Sequence, residues 1–268
     1  MTMAGRTDYT VEKINEQIYR INEFNIMNCF LIIGEEKALL VDCGVGAGNM
    51  AEFVKTLTDK PVILAATHAH VDHIGAAWQF GKIHIHKGDA PIVWYQSSTK
   101  ERVKYLKRHP STEKFGLDYN EFAPQKPYLI PVTFGDNHKF DLGGITVEAV
   151  HTPGHSRGSV NFKIDKYNIM LVADNYISIL NCRYTFAAPL SHWLKSAKEF
   201  LPVCEGYTLY GGHGQHPISP DVVKWLVKTV EEIIASTKKN DSFSNKKVKA
   251  VEDENSKNKV IYRTDMIL

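Results

Sequence analysis

The sequence predicts an α/β protein of four layers, an αββα sandwich in which two packed mixed sheets carry helices on their outer faces. Three observations lead there. Short segments of strand character precede helical ones, and this order occurs twice along the chain. "PVILAAT" (61–67) and "NIMLVA" (168–173) are almost continuously apolar at strand length, which suits strands buried on both faces. Histidines and aspartates fall just past the ends of such strands, where loops can converge on one edge.

The elements follow in order. "QIYRIN", "IMNCFLII" and "KALLVD" are rich in β-branched and aliphatic residues, and "GEEK" between the last two signals a hairpin. After the turn "CGVGAG", Met50, Phe53, Val54 and Leu57 stand at helical spacing over 49–58. The strand "PVILAAT", a short helix over 73–80 and the strand "KIHIH" come next. Residues 88–126 interrupt the rhythm with the polar, mostly basic stretch "SSTKERVKYLKRHPSTEK" and a loop holding Pro124 and Pro127, and read as an insertion over a site. Its Lys100, Arg102, Lys104, Lys107, Arg108 and Lys114 read as a solvated face, and Val93, Trp94, Tyr95, Tyr105 and Leu106 as an apolar wall. "YLIPVT", "ITVEAV", "SVNFKI" and "NIMLVA" are the strands of the second half. A helix over 191–201 follows, with Ser191 able to cap it. After the strand "YTLYGG", a helix over 219–236 opens with Ser219 as N-cap and Pro220 at its first position. Residues 238–259 are polar enough for a loop or partial disorder, and "VIYRT" reads as a last strand. The chain, 1–268, reads as a single domain.

Bulk properties exclude several classes. With 43% hydrophobic and 23% charged residues, the 268-residue chain has ordinary globular composition. A net charge of +2 gives no ground for nucleic acid as a partner. No stretch approaches the roughly 18 apolar residues of a membrane span, and no apolar leader opens the chain. Cys29, Cys43, Cys182 and Cys204 lack metal or disulfide spacing and fit reduced thiols in a cytoplasmic protein. A small-molecule substrate is the expected partner, with no membrane; a homodimer stays open.

The chemistry concentrates in "HAHVDH" (68–73), which places His68, His70, Asp72 and His73 directly after a strand. His151 opens "HTPGH", Asp174 follows "NIMLVA", His213 follows "YTLYGG", and Asp42 closes "KALLVD". Imidazole and carboxylate donors suit zinc, manganese or iron. His68, His70, Asp72, His73, His151, Asp174 and His213 exceed the four donors that one tetrahedral zinc takes, so two ions sharing a carboxylate fit better. His84 and His86 in "KIHIH" share one strand face and read as surface or internally satisfied.

In this order, "HAHVDH", "HTPGH", the Asp of "LVADN" and the His of "GGHG" resemble the metallo-β-lactamase superfamily, over most of residues 17–236. The resemblance implies the αββα sandwich. It implies that His68, His70 and His151 hold one divalent ion, that Asp72, His73 and His213 hold a second, and that Asp174 bridges them. It gives Asp42 the task of orienting ligand histidines, and His155 a place near the site without being a ligand. Zinc is the implied metal, with iron or manganese as alternatives. Within the superfamily, Asp174 argues against β-lactamases, which lack this aspartate. "ADNYISILNCRYTF" departs from the glyoxalase II pattern, and the chain after it is too short for that enzyme's helical domain. The flavin-linked di-iron branch and the nuclease branches need further domains. A single-domain hydrolase of the thioesterase or lactonase kind remains. It would act on a carboxylic ester-type bond with a hydroxide shared by two ions, Asp72 moving a proton. Tyr176 and Tyr184 lie where some lactonases place a tyrosine near the carbonyl. An iron-dependent oxidoreductase, a phosphodiesterase and a non-catalytic effector binder are the alternatives.

Overall fold

The computed structural model describes residues 9–118, 129–237 and 247–268. A seven-stranded sheet runs in sequence order through β1 (Thr10–Lys13), β2 (Ile18–Glu23), β3 (Met27–Ile33), β4 (Ala38–Val41), β5 (Val62–Ala65), β6 (Lys82–His86) and β7 (Ile130–Phe134). It is mixed: β1 to β4 pair antiparallel, and β4 to β7 pair parallel. The second sheet has the order β13-β11-β10-β9-β8, formed by β8 (His138–Asp141), β9 (Thr146–His151), β10 (Val160–Ile164), β11 (Ile169–Ala173) and β13 (Thr208–Gly211).

Strand alternation builds the layers. In β4, Leu39 and Val41 enter the core between the sheets, while Ala38 and Leu40 enter the outer core. In β11, Ile169 and Leu171 face the central core, while Met170 and Val172 face outward under helices. Both strands are therefore buried on both sides, and their apolar runs follow from that. The outer helix layer of the second sheet comprises α6 (Leu190–Cys204) and α7 (Pro220–Ser236). Val223, Leu226, Val227, Val230 and Ile233 form the buried stripe of α7, and Ser219 caps it by accepting from Asp221 N–H at 3.2 Å. Pro189, not Ser191, stands at the N-cap of α6, with no side-chain cap bond.

Over the first sheet lie α1 (Met50–Val54), α2 (Val71–Ile74), α3 (Val93–Gln96), α4 (Thr99–Leu106) and α5 (Ser111–Lys114). The helix expected over 73–80 is instead α2 followed by a 3₁₀ turn at Ala77–Gln79. At the end of α2 a Cβ on Gly75 would lie 2.3 Å from Val45 O, so only glycine lets the chain press against the glycine-rich turn there.

Residues 88–118 are clamped to the sheet. Arg102, expected on a solvated face, is fully buried and donates from Nε to Val45 O (2.9 Å) and from an Nη to Gly46 O (2.8 Å). Buried Glu23 accepts from the N–H groups of Val45, Gly46 and Ala47 in the same turn. Val93 and Leu106 belong to the core, whereas Trp94 and Tyr95 are exposed and wall no pocket among the described residues. The loop expected around Pro124 and Pro127 lies outside the described residues.

The polar stretch 238–259 is not all loop. Its residues 238–246 lie outside the described residues, but β14 (Val248–Glu252) pairs with β15 (Lys259–Arg263), and β15 pairs parallel with β12 (Ile179–Cys182) in a small third sheet. Polar β14 is exposed throughout and held by ladder bonds, so it shows no apolar alternation. No helix among the described residues is long and apolar enough to cross a membrane. All four cysteines are free and buried.

Candidate metal centre

β5 ends at Ala65, and the next residues carry Thr67, His68 and His70 into the edge between the sheets, with α2 presenting Asp72 and His73. Asp42 follows β4 with φ +61°, an uncommon backbone for a non-glycine residue. Its Oδ1 accepts from Thr67 N–H (2.8 Å), and its Oδ2 accepts from the Thr67 hydroxyl (2.8 Å) and from His73 Nδ1 (2.9 Å). Because Thr67 gives its proton to Asp42, its oxygen accepts from His68 Nδ1 at 3.1 Å. These bonds leave His68 Nε2 and His73 Nε2 as inward-facing lone pairs whenever the rings are neutral.

One of these atoms, His68 Nε2, converges on His70 together with His155, a histidine expected near the site without being a ligand. His155 Nδ1 donates to Asn181 O (2.8 Å), so its Nε2 lone pair points inward and lies 2.7 Å from His70 Nδ1. His68 Nε2 stands 2.9 Å from the same His70 nitrogen. Three nitrogens of buried rings thus share at most one proton, on His70. Burial, with the neighbouring histidines, holds the pKa values of His68 and His70 well below the ordinary value; burial likewise lowers that of His155.

His151 is not in this group, which corrects the sequence expectation. It is the last residue of β9, paired with Val160, and its side chain lies beside His86 and Asp136. The His86 and His151 rings stack 3.9 Å apart at 24°. Lone pairs lie in ring planes, so stacked rings do not aim them at one point. His86 Nδ1 accepts from Gly88 N–H (3.2 Å), which puts its proton on Nε2 toward Asp136 Oδ1 (3.0 Å). His151 Nε2 donates to Arg157 O (3.0 Å). After His151 the chain turns through Pro153 and Gly154, and it is His155 that reaches the centre. Asn175 fixes that turn, accepting from His155 N–H (3.0 Å) and donating to Thr152 O (2.6 Å).

A second group consists of Asp72, His73 and His213. His213 donates from Nδ1 to Ile26 O (2.8 Å), aiming Nε2 at Asp72 Oδ2 (3.4 Å) and Asp174 Oδ2 (3.3 Å). A Cβ on Gly212 would lie 2.8 Å from Asp174 Oδ1, so glycine is what lets this loop approach. Asp174 stands between the groups: Oδ1 is 3.4 Å from His73 Nε2, and Oδ2 is 3.6 Å from His155 Nε2. The register of β11 against β13 shifts between Leu171 and Ala173, and Ala173 has φ +43°; this irregularity turns Asp174 into the site.

The electrostatics show what the donors need. Burial opposes charge on His73, but Asp42, Asp174 and Asp72 outweigh it and hold its pKa up at about 10. Burial opposes charge on Asp174 and Asp72 too, and is outweighed by His213 and His73 for both, so the carboxyls titrate below their ordinary range. His73 Nε2 and Asp174 Oδ1 are nevertheless buried without a hydrogen bond. Buried polar atoms are normally paired, so donors converging in this state fit a cation.

Other residues border the centre. Tyr105, on α4, donates its hydroxyl to Asp72 Oδ2 at 3.0 Å; only its aromatic character was legible in the sequence, because a contact across 33 positions leaves no local pattern. Tyr184 approaches His70 edge-on at 5.0 Å and stacks on Phe186, which is 5.1 Å from His70. Tyr176 is fully buried and stacked on Phe200 at 4.2 Å, in the core beneath α6 and α7.

Comparison with known proteins agrees with this architecture. The chain is 30% identical over 166 residues to a human acyl-coenzyme A thioesterase, an alignment covering 55% of this chain and 56% of that protein. It thus spans about half the length of that relative. It is 25% identical over 207 residues to a hydroxyacylglutathione hydrolase of Haemophilus influenzae, covering 76% of this chain and 92% of that one. A metallo-beta-lactamase from Pontibacter korlensis superposes with a TM-score of 0.60 at 15% identity, covering 82% of this chain and 98% of that chain, a likeness of fold alone. Residues 24–176, more than half of the sequence, match the family model of the metallo-beta-lactamase superfamily. The chain belongs to the metallo-β-lactamase superfamily.

Proposed function

We propose that the protein is a metal-dependent hydrolase with a two-ion centre that cleaves a carboxylic ester-type bond, a thioester before a lactone. The observation that carries the reading is the convergence of His68, His70 and His155 on one side of Asp174, with Asp72, His73 and His213 on the other. His68, His70 and His155 would hold one ion, and Asp72, His73 and His213 the second, with Asp174 shared between them. Zinc suits these donors, and iron or manganese is compatible with them. Bound there, such ions supply Lewis acidity toward a carbonyl oxygen and bring the pKa of a water toward neutrality.

The chain's own residues do the rest. Asp42 holds the His73 ring directly and the His68 ring through Thr67. Asp72 keeps one hydrogen bond from Tyr105 and has further lone pairs with which to take a proton from attacking water and return it to the leaving group. Tyr184 and Phe186 offer an aromatic wall beside His70 for an acyl chain. Coenzyme A and glutathione are both thiols, so the names of the two relatives favour a thioester.

The test compares kcat/KM for thioesters, lactones, β-lactams and phosphodiesters with metal-loaded protein, His70→Ala serving as blank. Thioesters should lead. Turnover of a β-lactam or phosphodiester exceeding every ester and thioester tenfold would reject the assignment. Metal analysis should find about two ions per chain, and one tightly held ion with Asp174 dispensable would reject the two-ion centre.

A further inference from the structure

We propose that Asp89 is a positioning residue that holds the two loops carrying His68, His70 and His155 in register; this rests on the metal-centre reading above. Asp89 follows β6 and is buried at 1% exposure. Among the described residues no lysine or arginine pairs with it. Its charge is met by hydrogen bonds instead. Oδ2 accepts from Ala69 N–H (2.9 Å) and from the Ser156 hydroxyl (2.6 Å), and Oδ1 accepts from Gly158 N–H (2.7 Å).

The sequence positions of those donors matter. Ala69 lies between His68 and His70, and Ser156 directly follows His155. One carboxylate therefore joins, through adjacent residues, the two loops that bring His68 Nε2 and His155 Nε2 to within 2.9 Å of His70 Nδ1. The anchor is itself fixed, since Asp89 N–H donates to His86 O at 3.0 Å. The second loop sits hard against it: a Cβ on Gly158 would lie 2.5 Å from Asp89 N and 2.8 Å from its carboxyl carbon. The Ser156 hydroxyl also lies 2.8 Å from Ser159 Oγ, which accepts from Ser156 N–H at 3.0 Å, so the loop is closed on itself.

Charge matters as much as shape. Hydrogen bonds to an ionised acceptor are roughly twice as strong as neutral ones. Asparagine at 89 keeps the shape but has one oxygen and one NH₂ group. Its NH₂ would face either Gly158 N–H or the pair Ala69 N–H and Ser156 Oγ, setting donor against donor on one loop. The two loops would then relax relative to each other. Asp72, His73 and His213 make no contact with Asp89 and keep their own supports, Tyr105, Asp42 and Ile26 O.

The test is a stepwise cobalt(II) titration of metal-free protein, read by visible absorption and by competition with a chelator. His155→Ala and His213→Ala identify which step belongs to which group. Asp89→Asn should weaken the His155-dependent step about 10–100-fold, the range for residues that orient metal ligands, and shift its absorption band. The His213-dependent step should move less than about threefold by comparison. Ser156→Ala, which removes one donor with little change of shape, should act on the same step in the same direction and keeps the test open if Asp89→Asn does not fold. Unchanged steps, or both steps weakened alike together with a lower melting temperature of the metal-free protein, would overturn the proposal. Wild-type protein that binds no cobalt would instead reject the metal-centre reading itself, and this inference with it.

Discussion

Replacing His155 or His151 by alanine tests the exchange of roles between the two histidines of "HTPGH". His155→Ala removes an inward Nε2 that stands 2.7 Å from His70 Nδ1 and 3.6 Å from Asp174 Oδ2. A four-donor zinc site is worth about 10–16 kcal/mol, which spread over its donors is about 2.5–4 kcal/mol each. Loss of one donor therefore predicts a fall in affinity of about 10²–10³-fold for the first ion, at about 1.4 kcal/mol per decade. His151→Ala removes a stacking contact with His86 and a hydrogen bond to Arg157 O, at a partly exposed position. Each is worth about 1 kcal/mol of fold stability, and neither touches the centre, so affinity should stay within about threefold. Competition with a chromophoric chelator reads both affinities, and thermal melts of the metal-free variants report whether each still folds. If His151→Ala lowers metal affinity as much as His155→Ala, the placement argued here is wrong.

Three further outcomes are expected. Asp42→Ala frees the ring of His73 and, through Thr67, that of His68, and should lower metal affinity about 10–100-fold without a ligand being lost; unchanged affinity would refute this. Tyr105→Phe removes the single hydroxyl on Asp72 Oδ2 and should lower kcat by about tenfold (about 1.4 kcal/mol, one hydrogen bond to a charged group) with KM nearly unchanged; a change in KM alone would place Tyr105 in substrate binding. The pH dependence of the metal-free protein follows from His73, whose pKa is raised from 6.5 to about 10. A raised histidine gives stability that is complete below about 6.5 and lost as pH rises through about 10, so the metal-free melting temperature should fall across that window. A metal ion held by His73 Nε2 would displace that proton, so the loaded protein should show a flatter profile; parallel profiles would refute the assignment.

Periodicity and donor type were legible in the order of the amino acids alone. Alternation in "KALLV" and "NIMLVA" requires two apolar faces, and the sandwich supplies a core for each. Four donors in "HAHVDH" stay close in space because the chain cannot separate them, so that part of the centre was legible locally. The helix at 219–236 announced itself through Ser219, Pro220 and its apolar stripe. Tertiary structure decided whatever depended on direction or on distant partners. His151 and His155 are four positions apart, and only the point where β9 ends, with the turn that Asn175 holds, sends one to His86 and the other to the centre. Arg102 resembled any basic helix residue until Val45 and Gly46 met it across 57 and 56 positions. The polar strand β14 had no apolar pattern, because its pairing depends on backbone groups that every residue carries. Asp89, Tyr105 and Asn175 lacked a local signal for the same reason: a hydrogen bond between distant segments is specified by the fold that brings them together.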